Sequence, residues 1–379
     1  MAGGHSIVQA KSSGDLASPP VTCVSRHPRP EPLEYITPTQ LGQAEKCPWR
    51  LTYSRDSEVS PLNRPSPVSA LGDVVHEVTE RLGEAADFDS VWEAAVAKAT
   101  SRLARSWAPA QPPSPETWPG WSLKRIRVRK TWERAAGTVS LPRTRVSGEH
   151  AARLGARPPL PWRERWLQHP TWPLAGKPDL VEQRADGIWV VDLKTGLNQA
   201  EPTPEQRQQL LFYCALVEAE AGELPRYAAI ETTQGARFPI AVKRDEVDDV
   251  CERALALLEQ VNGVDDRGLT TALATPSVEA CAWCAFRPAC APFFDAYDET
   301  WPIPHALLFE VVSVDTSAHG YCVETIVRLP KWREGERVHV VGFPFDERPQ
   351  VGECWGSTNF AGLASSAIAQ WNTVIFKWS

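Results

Sequence analysis

The sequence predicts an α/β protein, a mixed sheet flanked by helices, with a helical insertion and a small C-terminal β-barrel. Three observations predict it. Ile188 to Lys194 is nearly continuous apolar, as in a strand buried on both faces, and Asp186-Gly187 before it is a hairpin signal. A capped helix follows: Thr203 at the N-cap, Pro204 first, Gln206 closing a capping box and Gly222 at the end. Beyond residue 300, five short apolar runs separated by turn residues read as strands, with one helix-like patch, LASSAIAQ, before the last.

In chain order, residues 1–32 are rich in Pro, Ser and Gly and read as a disordered tail; Cys23, His5 and His27 lie there with no assigned role. Residues 33–298 form the main module. Thr37 caps a first helix, with Leu41 and Ala44 facing the core. Leu71, Val74, Val75, Val78 and Leu82 make the apolar stripe of a second, with His76 at its margin. Residues 88–145 read as a helical insertion: a helix near Val91–Trp107, a Pro/Trp linker, then a basic run. That run holds Lys124, Arg125, Arg127, Arg129, Lys130, Arg134, Arg143 and Arg145, with Glu133 its one acid. It is either a solvated helix face or the rim of a nucleic-acid channel, with Trp121 and Trp132 placed to stack on bases. The segment Pro161–Gly176 reads as a strand leading to the central hairpin. RYAAIETT and ARFPIAV are two further strands, and a helix runs from about Asp245 to Val261. Cys214 and Cys251 lie on apolar faces and read as core. Residues 299–379 are the barrel, of the size of an OB-like module, where Trp332, Trp355 or Trp371 would grip single strands.

Composition bounds the rest. At 379 residues the chain can bury a large core and hold two or three modules. Hydrophobic content of 42% and charged content of 23% are ordinary for a globular protein. A net charge of −7 argues against a generally basic DNA-coating protein but leaves room for a local basic groove. With no bilayer-length apolar run and no signal-peptide pattern, a cytoplasmic protein without a membrane role is expected. Nine cysteines, three of them clustered, favour metal or cluster ligation over disulfides in a reducing compartment.

The chemistry concentrates at strand ends. Period 2 puts Asp192 and Lys194 on one face at the end of their strand, and the antiparallel return of LAGKPDLV brings Asp179 beside them. Two buried carboxylates facing a lysine are costly unless they bind something; they suit a hard cation beside a phosphate. On the next helix Gln209 and Tyr213, at i and i+4, share a face.

These residues resemble the PD-(D/E)XK nuclease superfamily, over roughly residues 35–295. Asp179, within Gly176-Lys177-Pro178-Asp179, matches the first acidic position. Asp192-Leu193-Lys194 matches the (D/E)XK element, and Gln209 with Tyr213 matches the QxxxY motif of the RecB-like branch. The resemblance implies a restriction-endonuclease-like core and phosphodiester hydrolysis in DNA, often at ends or on single strands. It implies Mg²⁺ or Mn²⁺ held by Asp179, Asp192, the carbonyl of Leu193 and His76, the last in a Gly72-x-x-x-His76 context. Lys194 would orient the attacking water, and Gln209 and Tyr213 would brace the site. Glu164 is a candidate extra ligand, with Glu149 competing for that role. The insertion between His76 and Asp179 departs from the family pattern and leaves substrate preference open.

Cys281-x-x-Cys284-x5-Cys290 lets two thiolates bind one centre with a third in reach. In the resembling family an N-terminal cysteine, here Cys47 in CPWR, closes a [4Fe-4S] cluster that staples the chain ends; the same four thiolates would equally bind Zn²⁺. Cys322 and Cys354 show no such spacing. The expected function is a metal-dependent DNA exonuclease of repair or defence, with a possible helicase or defence-complex partner. The alternative is a non-cleaving module that recognises DNA ends or branched DNA within a repair, CRISPR-adaptation or anti-phage complex.

Overall fold

The computed structural model describes residues 23, 31–82, 86–108, 110–137, 159–194, 201–232, 236–263, 273–303, 305–317, 320–343, 348–362 and 365–378. Glu149, Arg143 and Arg145, and the expected tail apart from Cys23 and residues 31–32, lie outside them.

The central sheet has five strands in the order β1 (Trp162–Arg163), β4 (Leu180–Arg184), β5 (Gly187–Lys194), β6 (Tyr227–Thr232) and β7 (Arg237–Ala241). β4 and β5 form the expected hairpin, with Arg184 opposite Gly187 across the Ala185-Asp186 loop; Gly187 takes a left-handed φ of 125°. β5 and β6 pair in parallel, which requires a crossover, and helix α6 (Pro204–Ala221) supplies it. Thr203 and Gln206 make the reciprocal capping box that the sequence signals, and Gly222 ends the helix at φ 74°. The apolar faces of α6 and α7 (Arg244–Asn262) and the inner residues of β4–β6 make one core, containing Phe212, Leu216, Val181, Val190, Ile230 and Val250.

A second core is helical: α2 (Pro48–Tyr53), α3 (Pro67–Glu80), α4 (Phe88–Trp107) and α5 (Trp121–Gly137). Here the structure corrects the insertion reading. Trp132 is buried with its ring 6.0 Å from Phe88, and half-buried Trp121 packs edge-on against Trp92 at 5.4 Å, so both rings serve the helical core. Arg125 and Arg129 both pair with Asp89.

The C-terminal residues also differ from expectation. They form a six-stranded sheet in the order β12 (Ser366–Ile368), β10 (Arg337–Phe343), β9 (Gly320–Leu329), β8 (Ala306–Ser317), β11 (Cys354–Thr358), β13 (Val374–Trp378). Among the described residues its outer strands, β12 and β13, do not pair, so no closed OB-like barrel is present. The patch read as helix is β12, parallel to β10, with Ala367 buried between exposed Ser366 and Ile368; tertiary pairing overrides weak helical propensity. Trp371 packs against Trp107 at 5.3 Å, and the Trp332 indole N–H donates to the Tyr297 carbonyl at 3.3 Å. Cys23 and Cys354, given no role from sequence, form a disulfide with Cα atoms 5.6 Å apart. No helix among the described residues is long and apolar enough to cross a membrane.

Candidate active site

Asp179 precedes β4, and the register that sets Leu180 opposite Val191 brings it beside the end of β5. Its Oδ2 accepts the amide N–H of Leu193 at 2.6 Å. Leu193 therefore meets Asp179 through its amide. Asp192, buried, has its Oδ2 2.7 Å from Lys194 Nζ. Lys194 Nζ also donates to Gln209 Oε1 at 3.1 Å, and Gln209 Nε2 donates to the Tyr213 hydroxyl at 3.3 Å. The i and i+4 pair on α6 thus continues the polar chain that begins at Asp192.

A separate trio faces this chain. One ligand atom each from His76, Glu164 and Asp179 lies within 4.8 Å of the others. His76 comes from α3, held by the burial of Val74, Val75 and Val78 around it. Glu164 follows β1 with φ 46°, a left-handed conformation that a branched-chain-free but bulky residue adopts only when its surroundings hold it there. Two contacts hold it: its N–H donates to the Asp179 carbonyl at 3.1 Å, and its carboxylate pairs with Lys177.

The electrostatics are those of a crowded acidic pocket. Burial and then the Asp192 charge push the Asp179 carboxyl up to about 7. Burial raises Asp192 as well, against the lowering effect of Lys194. Burial lowers His76, which favours the neutral imidazole that a metal requires. Tyr213 is pushed up to about 12, first by burial, and stays a neutral hydroxyl. One neutral nitrogen and carboxylate oxygens, on carboxyls whose ionisation is unfavourable without a counter-ion, are donors suited to Mn²⁺ or Mg²⁺.

Of the residues that sequence reasoning named, the structure sets His76 against Asp179, links Asp192, Lys194, Gln209 and Tyr213 in one chain, and places Leu193 on Asp179 through its amide and not through the expected carbonyl. It places Glu164 in the trio and pairs Asp192 with Lys194. Two residues were missed. Lys177, inside the GKPD motif, neutralises Glu164 and is itself raised by that contact. Glu80, one turn after His76, is raised by burial and then by Glu164; its i+4 spacing from His76 was the available signal.

Cys47, Cys281, Cys284 and Cys290 line one cavity with Arg50 and Tyr53. They share this cavity, but the described residues do not form the expected four-thiolate group. Among the described residues no three cysteine Sγ atoms lie within 4.8 Å of one another, whereas thiolates around one zinc sit roughly 3.8 Å apart. The chain alone does not bring the thiols to the spacing of a single ion. The cavity does hold one orphaned donor: the Arg287 guanidinium is buried, its Nε donates to the Cys284 carbonyl at 3.1 Å, and its Nη1 has no partner. Burial pushes Cys281 up to about 11 and raises Cys284 and Cys290.

The His76, Glu164 and Asp179 ligand atoms are spaced as donors to one cation, with the Asp192–Lys194 pair beside Asp179. The chain belongs to the PD-(D/E)XK nuclease superfamily, whose sequence profile matches residues 35–291, and it is thereby a hydrolase of the nuclease class. A search of curated proteins returns no match. Among solved structures, the crystal structure of LHK-Exo in complex with dAMP is similar at 13% identity and TM-score 0.24, over 52% of this chain and 90% of that one. The crystal structure of SSO0001 is similar at 13% identity and TM-score 0.26, over 69% of this chain and 86% of that one.

Proposed function

We propose that this protein is a divalent-metal-dependent deoxyribonuclease of the RecB-like branch, an exonuclease acting on DNA ends or single strands. In this reading residues 33–298 are the nuclease module and residues 299–379 an appended β-rich one. The observation that carries it is the continuous set of contacts from Asp179 through Leu193 to the Asp192–Lys194–Gln209–Tyr213 chain, with His76 and Glu164 closing on Asp179.

Asp179, Glu164 and His76 would hold the cation, with Asp192 beside them. A bound Mg²⁺ or Mn²⁺ supplies polarisation of the scissile phosphate and acidifies a water. Lys194, fixed by Asp192 and Gln209, presents its remaining N–H donor to the attacking water and to the charge that builds on the phosphate oxygens. Tyr213, neutral and hydrogen-bonded to Gln209, fixes the Gln209 amide so that its oxygen faces Lys194. Lys177 balances Glu164 and keeps the pocket from accumulating unpaired charge.

The four cysteines would hold a [4Fe-4S] cluster. Support comes from the one cavity that all four line and from the unpartnered Arg287 Nη1, which suits an anionic iron–thiolate group. The role is structural: Tyr53 of α2 already donates to the Ala289 carbonyl at 2.9 Å across the same cavity.

The test is cleavage of end-labelled single- and double-stranded DNA by protein purified without oxygen, with Mg²⁺ or Mn²⁺. Metal-dependent cleavage that disappears in Lys194→Ala and Asp179→Asn is expected, with a product ladder starting from ends. Metal-dependent cleavage of closed circles at the same rate would remove the exonuclease assignment. DNA binding without any cleavage under either metal would replace the enzyme by a binding module.

A further inference from the structure

The helical tryptophans are core, yet exposed aromatic rings stand elsewhere, on the segment that joins two residues of the site. Residues 165–178 link Glu164 to Asp179 and contain the short hairpin of β2 (Leu167–Gln168) and β3 (Ala175–Gly176). On it Trp166 is 49% exposed and Trp172 is 40% exposed.

The hairpin is held firmly. The Ile36 amide donates to the Pro173 carbonyl at 2.9 Å, and the Ala175 amide to the Ile36 carbonyl at 3.1 Å. Arg165 pairs with Glu220 on α6, and Gly176 lies directly against Tyr213. The aromatic rings are fixed in turn. His169 Nδ1 accepts the amides of Thr171 at 3.3 Å and Trp172 at 3.0 Å, which leaves the ring proton on Nε2. Its ring lies parallel to the Trp172 indole, 4.5 Å between centroids and 9° between planes. Tyr35 abuts Trp166 edge-on at 5.5 Å. Rings fixed before a ligand arrives lose little entropy on binding it.

We propose that this hairpin is a nucleobase-stacking platform, on which unpaired bases of the strand entering the His76–Glu164–Asp179 pocket stack against Trp166 and the His169–Trp172 pair. The proposal rests on the nuclease reading and adds the substrate form to it. Position argues for a base as occupant. Trp166 is two residues from Glu164, so its Cα lies within roughly 7 Å of that carboxylate's Cα, the distance of a neighbouring nucleotide rather than of a separate partner. Stacking tolerates any base, since each has a π face, but those faces are already occupied inside a duplex. The platform therefore selects single strands and frayed ends without reading sequence.

The experiment measures binding of end-labelled single-stranded oligonucleotides by fluorescence anisotropy, with Ca²⁺ replacing the catalytic cation. Trp166→Ala is expected to bind about 5- to 150-fold more weakly, and Trp166→Phe to keep most of the affinity. In cleavage assays the loss falls on KM rather than kcat. A single abasic position, walked along the oligonucleotide, weakens the unaltered protein at one or two positions and adds nothing in Trp166→Ala. Trp172→Ala repeats the measurement on the second ring, so poor folding of one variant decides nothing alone. Unchanged affinity in both alanine variants, or an abasic penalty that persists in them, overturns the platform while metal-dependent cleavage keeps the nuclease reading intact. If the unaltered protein neither binds nor cuts DNA, both readings fall together.

Discussion

Glu164 reaches Asp179 twice: its backbone amide donates to the Asp179 carbonyl at 3.1 Å, and its carboxylate stands with that of Asp179 and the ring of His76 within 4.8 Å. The left-handed backbone at Glu164 makes both contacts possible at once. Glu164→Gln keeps the size and removes the charge. It is expected to weaken Mn²⁺ binding by about 10- to 100-fold, measured by calorimetry, with a matching loss of cleavage at limiting metal. Unchanged metal affinity would mean that Glu164 serves Lys177 alone.

Metal binding should depend on pH in a defined direction. An unfolded aspartate titrates near pH 3.9. Burial and Asp192 hold the Asp179 carboxyl up to about 7 in the metal-free fold. Between about pH 4 and 7 the folded chain thus binds more protons than the unfolded one, and metal-free stability falls as pH rises. A cation binds the ionised form, so the increase in Tm on adding Mn²⁺ should grow from about pH 5.5 to 8. A metal effect that is flat across that range would place the cation away from Asp179.

Iron and acid-labile sulfide should accompany the protein isolated without oxygen, and both should be lost in Cys47→Ala although Cys281, Cys284 and Cys290 remain. Zinc in stoichiometric amount without sulfide would assign the four cysteines to a single ion. Arg287→Met, which removes the orphaned donor, should speed loss of the group in air.

Gly176→Ala should destabilise the protein by about 1–3 kcal/mol, read from urea unfolding, because the packing there has no spare volume. The added Cβ would stand 3.0 Å from Tyr213 Cε1, 3.2 Å from Leu216 Cδ1 and 3.2 Å from Pro38 Cδ. The same push would move Tyr213 off Gln209, so activity should fall further than stability alone explains.

Local signals made the centre of the molecule legible. The Asp186-Gly187 turn, the apolar run of β5 and the capping box of α6 are short-range features, and they fix Asp179, Asp192, Lys194, Gln209 and Tyr213 relative to one another. Glu164 was harder, since its role depends on a left-handed residue between two two-residue strands, which no periodicity announces. Trp121 and Trp132 misled because a tryptophan beside arginines has the same sequence signature whether it faces DNA or Phe88. β12 was hidden because its pairing is with β10, distant in sequence and parallel, while Ala and Ser carry no strand signal of their own.

Three remote stretches meet at the turn before Cys290. Tyr53 donates to the Ala289 carbonyl, Trp378 Nε1 donates to the Pro288 carbonyl at 2.8 Å, and a Cβ on Gly356 would overlap that same oxygen. This junction sets a timetable for biosynthesis. The sheet carrying Asp179, Asp192 and Lys194 has all its strands by Ala241, and its core is complete once α7 has followed at Asn262. The cysteine cavity waits for Phe293, and the turn before Cys290 is packed only when β11 and β13 have followed. The packing against the Pro288–Ala289 turn is thereby the last of these contacts that synthesis of the chain makes possible.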